Sequence, residues 1–155
     1  MPKSVFAIAL VILSTLMVLG VIGIAAGDNA SFSLQPLKDR MITLNLKETD
    51  SVSGSFSVVS NDETGINFFV TDPYNNTILQ YDNVFHRDFS FTAESDGNYQ
   101  MRFDNSLSAA YSKTVSVNYS STHYIFGMPQ EQFLFILIAI VALIGIVLFV
   151  LLTPR

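Results

Sequence analysis

Between Ile42 and Tyr119, apolar and polar side chains alternate one for one in short runs. Ile42, Leu44 and Leu46 alternate with Thr43, Asn45 and Lys47, and Val52, Gly54, Phe56 and Val58 alternate with serines. The same pattern recurs in Ile66, Phe68 and Val70, in Phe89, Phe91 and Ala93, in Tyr99, Met101 and Phe103, and in Val115, Val117 and Tyr119. A period of two, rich in β-branched and aromatic residues, predicts strands with one face buried. Turn formers separate the runs at Asn61-Asp-Glu-Thr-Gly65, Asp72-Pro-Tyr-Asn-Asn76 and Ser95-Asp-Gly-Asn98. Short strands at this spacing, about eight in all, predict an all-β chain folded as an antiparallel β-sandwich. No helical period and no internal repeat interrupts them.

The pattern changes at both ends. Phe133 to Leu152 carries no charge and no hydrogen-bonding side chain. A helix of about twenty such residues matches the hydrocarbon core of a bilayer, and it has no polar face with which to meet water. It is expected to be a transmembrane helix. Val5 to Ala26 is a second apolar run, with Lys3 before it and Ala25-Ala26-Gly27 after it. The early charge and small-residue exit fit a secretory signal peptide, while the length also suits an uncleaved anchor. Lys3 and Arg155 both place the basic flanks on the cytoplasmic side, so the β domain is expected on the extracellular or lumenal side. The chain divides accordingly into residues 1–27 (signal peptide or anchor), 28–120 (sandwich), 121–132 (juxtamembrane linker), 133–152 (span) and 153–155 (tail). In the linker, Gly127 and Pro129 oppose a continuous helix, and Tyr124 and Phe126 suit a membrane interface close below the domain.

Composition narrows the function. In the middle segment Lys38, Arg40, Lys47, Arg87, Arg102 and Lys113 face a larger number of carboxylates, and the whole chain carries a net charge of −5. Such a surface opposes nucleic acid and anionic lipid. The chain has no cysteine, so disulfides, thiolate nucleophiles and zinc–thiolate sites are excluded. His86 and His123 are far apart in sequence and read as surface residues, and Asp72-Pro-Tyr-Asn-Asn reads as a hairpin turn without the spacing of a calcium loop. No serine sits in a nucleophile elbow, and no glycine-rich phosphate loop is present. The expectation is a protein that is not an enzyme and that takes no cofactor and no metal. Asn29-Ala-Ser, Asn75-Asn-Thr and Asn118-Tyr-Ser are candidate N-glycosylation sites at Asn29, Asn75 and Asn118.

Gly97-Asn-Tyr-Gln-Met-Arg-Phe-Asp-Asn-Ser-Leu-Ser, followed by Lys113-Thr-Val, resembles the end of a GOLD domain, the lumenal module of the p24 (emp24/gp25L) cargo receptors. Gly97, Tyr99, Met101, Phe103, Asn105, Ser108 and Lys113 stand at the positions of that pattern. Ser53-Gly-Ser-Phe56, Ile66 to Val70, Asp72-Pro73 and Phe89 to Ala93 resemble its earlier strands in the same order, so the likeness covers about Ser31 to Ser120. The departures are the missing cysteine pair, with Arg102 at one of its positions, the missing coiled coil, and a tail too short to bind a coat. The resemblance implies a reduced GOLD-like sandwich that binds other proteins, with a role in transport or sorting.

The family-motif residues also have plain structural readings. Gly97 is expected in a turn with unusual φ, Tyr99 and Phe103 in the core, and Asn105 bonded to backbone in a turn. Phe69, on the outward phase between Asn67 and Thr71, is either covered or part of a binding patch. The leading expectation is a single-pass binding module whose partners are other proteins. The alternative is a structural or accessory subunit that joins a homo- or hetero-oligomeric complex through its span, where Ala142 and Gly145 are the small residues.

Overall fold

The structure, a computed structural model, describes residues 27–152. The expected signal peptide or anchor, apart from residue 27, and the tail lie outside the described residues. Eight strands build the β domain: β1 (Asp28–Leu34), β2 (Asp39–Leu46), β3 (Ser51–Val59), β4 (Ile66–Thr71), β5 (Thr77–Val84), β6 (His86–Thr92), β7 (Gly97–Asp104) and β8 (Lys113–Thr122). They form two four-stranded sheets, β1-β8-β3-β6 and β2-β7-β4-β5, with every pairing antiparallel. This is the expected antiparallel sandwich. Two further two-residue strands, β9 (Tyr124–Ile125) and β10 (Met128–Pro129), pair with each other and lead into a helix, α1 (Gln130–Leu152). Residues 27–123 form one compact unit, and residues 124–152 belong to another.

The alternation becomes an inside and an outside. Val52, Phe56 and Val58 of β3, Val115 and Val117 of β8, and Phe32 and Leu34 of β1 face inward from the first sheet. Ile66, Phe68 and Val70 of β4 meet them from the second, with Tyr99, Met101 and Phe103 of β7. Five phenylalanine rings join the sheets. Phe56 lies 4.9 Å from Phe68 and 5.6 Å, edge-on, from Phe103, while Phe68 also contacts Phe89 at 5.1 Å and Phe103 at 4.9 Å, and Phe32 meets Phe103 at 5.4 Å. Each such pair adds about 1 kcal/mol beyond the burial of its area. With no cysteine in the chain, this aromatic packing provides the cross-sheet tie.

Two strands of the sandwich lie outside the runs marked by alternation. β1 keeps the period, with Ala30, Phe32 and Leu34 between Asn29, Ser31 and Ser33, but stands apart ahead of Ile42, and β5 breaks register against β4 on both sides of its middle, between Ile66 and Phe68 and between Val70 and Thr71. A register break puts consecutive side chains on the wrong phase for a period of two.

α1 begins directly after Pro129 and carries Glu131 in its first turn, where a negative charge complements the helix N-terminus. Among the described residues it is the one helix long and apolar enough to cross a membrane.

Candidate functional site

The chain enters the sandwich at Asp28, opposite Tyr119, and leaves after Thr122, opposite Ser51, so both strands end on one side of the domain. The far end is made of the β1–β2 turn, the β3–β4 loop, Phe85 between β5 and β6, and the β7–β8 loop. Three of these connections are fixed from below by buried polar groups of the motif.

Lys113 is fully buried at the start of β8. Its ammonium donates to the Thr64 carbonyl at 2.6 Å, to Thr64 Oγ1 at 2.8 Å and to the Gly65 carbonyl. Three acceptors match the three N–H bonds of a charged lysine. Asp62 Oδ1 lies 3.6 Å away. The Asp62 carboxylate accepts from Ser108 Oγ at 2.6 Å, from Ser60 Oγ and from Thr64 Oγ1 at 3.0 Å. These hydroxyls, Ser108 first and Ser60 next, hold its carboxyl far below the usual range, and the charge of Lys113 adds to them. Burial pushes the Lys113 ammonium down from its ordinary value, and the charge of Asp62 opposes that.

Asn105 is also fully buried. Its Nδ2 donates to the carbonyls of Gln35 at 3.1 Å, Tyr111 at 3.0 Å and Leu34 at 3.4 Å. Its backbone N–H donates to the Lys38 carbonyl, and its own carbonyl accepts from Leu37 N–H. Asn105 Oδ1 has no hydrogen-bond partner among the described residues. Ser108 closes the arrangement: its carbonyl accepts from Leu37 N–H at 3.1 Å, and its Oγ accepts from Tyr111 N–H at 3.1 Å. The β1–β2 turn and the β3–β4 and β7–β8 loops thus share one buried frame. It holds Leu37 at φ 57°, a conformation costly for a branched side chain.

On top of this frame, Leu37 (61 % exposed), Leu107 and Tyr111 stand in solvent on the β1–β2 and β7–β8 connections. Val59 and Phe85 are exposed at the same end. Three motif residues therefore support this end, Asn105, Ser108 and Lys113. Met101 and Phe103 lie in the core. The other two, Gly97 and Tyr99, serve the opposite end. Gly97 has φ 145°, and a Cβ there would meet Pro73 Cγ at 2.7 Å. Tyr99 is buried, and its hydroxyl donates to the Ser95 carbonyl and accepts from the N–H groups of Glu94 and Ser95. Asp62, Leu37, Leu107 and Tyr111 were not legible as site residues. Asp62 meets Ser108 across 46 positions of sequence, and no local pattern encodes that meeting.

The remaining candidates are placed as follows. Asn29 and Asn118 are exposed register partners on the outer face of the first sheet, and Asn75 sits at φ 65° in the β4–β5 turn. That outer face is an array of small polar side chains. It carries two open grooves of about 650 and 400 Å³ that share Ser55 and Asn118. Ser57, His86 and Asp88 lie together on it, but His86 Nε2 is 3.9 Å from Asp88 Oδ1 and both side chains are well exposed, so the trio lacks the geometry and seclusion of a hydrolytic triad. His123 pairs through Nδ1 with the buried carboxylate of Asp50, which in turn accepts from Lys47 N–H. The Asp72 carboxylate accepts from Tyr74 N–H, Asn76 N–H and Asn76 Nδ2, each at 2.8 Å, and these bonds, Asn76 foremost, lower its pKa. They spend its lone pairs on the turn itself. Phe69 is half-buried in an outward row with Arg102 and Gln80. Among the described residues, no three His, Asp or Glu side chains converge as metal ligands.

Comparison with known proteins gives a family and a set of remote folds. A comparison with curated protein sequences returns no match. Among solved structures, the chain is similar to the Aeromonas hydrophila periplasmic inhibitor of g-type lysozyme, PliG, at 16% identity over 63% of this chain and 87% of that one, with a TM-score of 0.47. It is also similar to Salmonella Typhimurium PliG (14% identity, 61% and 86% covered, TM-score 0.42) and to the Yersinia pseudotuberculosis-derived mitogen (14%, 63% and 86%, 0.45). The family model described as emp24/gp25L/p24 family/GOLD matches residues 29–133. That span runs from the first strand of the sandwich into the helix and contains the whole frame of Asp62, Asn105, Ser108 and Lys113, and the chain belongs to the emp24/gp25L/p24 (GOLD) family.

Proposed function

We propose that the protein is a membrane-anchored binding module that recognises another protein, on the extracellular or lumenal side, through the far end of its sandwich. Family membership supports a transport-related binding role. One observation selects the surface. The buried Lys113–Asp62–Ser108–Asn105 frame rigidifies two connections whose tips, Leu37, Leu107 and Tyr111, are apolar and exposed. A rigid loop cluster presenting aromatic and aliphatic side chains loses little conformational entropy on binding, which is how small interfaces gain affinity.

The test is site-specific photo-crosslinking in native membranes. A crosslinker at Leu107 should give a discrete adduct, absent when Leu37 and Tyr111 are both changed to Asp. The same crosslinker at Ser116, on the outer face of the first sheet, should give none. Equal adducts from both positions, or an adduct from 107 indifferent to the Asp changes, would show that this end is not the recognition surface.

A further inference from the structure

We propose that the β9–β10 hairpin is a lipid-interface anchor, with Phe126 at its tip inserted among the headgroups and upper acyl chains of the bilayer that α1 crosses. The hairpin has a two-residue connection, Phe126-Gly127, between the pairs Ile125↔Met128 and Tyr124↔Pro129. Both connecting residues have positive φ, 51° and 74°. That is the backbone of a type I′ turn, whose first position favours Asn, Asp or Gly. A bulky aromatic there is a true outlier, and such strain persists at positions that serve a function. Phe126 is 87 % exposed, the highest value among the large apolar side chains described. Its ring is nonetheless held, 5.7 Å from that of Phe133 in the second turn of α1. A strained, fully presented and oriented aromatic ring makes poor sense in water.

The occupant follows from chemistry and continuity. Tyr124, Ile125, Phe126, Met128 and Pro129 are apolar or aromatic, and no charged side chain lies between His123 and Glu131. The hairpin runs without interruption into the apolar helix and belongs to the same compact unit. Aromatic rings with an apolar body settle where hydrocarbon meets headgroups. A neutral hairpin has no preference for anionic lipid, so the fitting surface is the interface of a zwitterionic bilayer. Seated there, the hairpin would fix how deep the first turn of α1 lies, as interfacial anchors do.

The chain contains no tryptophan, so Phe126→Trp introduces a single reporter. The full chain is reconstituted in phosphatidylcholine vesicles, with Val59→Trp, at the exposed end of β3, as the comparison. The Phe126→Trp emission should be blue-shifted against Val59→Trp, lose most of its intensity to phosphatidylcholine brominated high on its acyl chains, and resist aqueous acrylamide. Adding anionic lipid should change none of this. Ile125→Trp provides a second reporter should the first disturb the turn. Resistance to alkaline carbonate is scored on the same samples. A carbonate-resistant chain whose hairpin reporters are as wet as Val59→Trp overturns the anchor while leaving the span standing; a chain that carbonate extracts overturns both.

Discussion

Lys113 illustrates how a single side chain can matter without touching a partner. A fully buried ammonium is tolerated because two carbonyls, a hydroxyl and a nearby carboxylate surround it. Replacing it with Met keeps the length and removes the charge, leaving the Thr64 and Gly65 carbonyls without their donor. Lys113→Met is therefore expected to cost about 3 kcal/mol in urea unfolding, the range seen when one member of a buried pair is removed. Asp62 gives the matching pH signature. Its folded pKa is depressed, so its contribution is present above the ordinary value of 3.8 and is lost as pH falls below it. Asp62→Asn should flatten the acid limb of the stability–pH curve below about pH 4 while retaining the slope due to Asp72 and Asp96, whose pKa values are also lowered. An unchanged acid limb would mean that Asp62 carries no such linkage.

Strands were legible where one face is buried without interruption. The inward residues of β2, β3, β4, β6, β7 and β8 sit on the alternating phase of the sequence, because a continuous ladder keeps the period. β5 lost that phase at its two register shifts, whereas β1, an edge strand, keeps it in Ala30, Phe32 and Leu34, between Asn29, Ser31 and Ser33. Of the site, the residues in the motif after Gly97 were legible as a pattern, while their function as a frame was not. Asn105 and Lys113 act on carbonyls 70 and 49 positions away, and only the folded chain brings them there. The aromatic layer makes a prediction at this scale. Phe56 faces Phe68 and Phe103 of the opposite sheet and lies beside Phe89 of its own. Phe56→Ala should cost about 3–5 kcal/mol in denaturant unfolding, the range for emptying a large buried aromatic site. Val59→Ala, at the exposed end of the same strand, should change stability little.

At the scale of the whole molecule, the sandwich and the apolar helix belong to separate compact units. Exchanging α1 for an unrelated apolar helix of equal length should leave the Leu107 crosslink intact. Loss of the adduct on that exchange would favour the accessory-subunit reading, in which the helix itself makes the specific contact. Stability of the β domain should likewise be indifferent to reductant, measured as an unchanged thermal midpoint with and without dithiothreitol, because the chain has no cysteine and its two sheets are joined by side-chain packing.

The strand order carries one consequence for the timing of synthesis. β8 pairs with both β1 and β3, and no other strand joins those two. Until Lys113 to Thr122 has been made, the first sheet exists only as a solitary β1 and a β3–β6 pair, with the first partner of Asp28 still 91 residues away at Tyr119. Contacts so distant in sequence form slowly and late. The nascent chain must therefore carry its aromatic face open through most of translation, and the ten residues that close it are made just before the apolar helix.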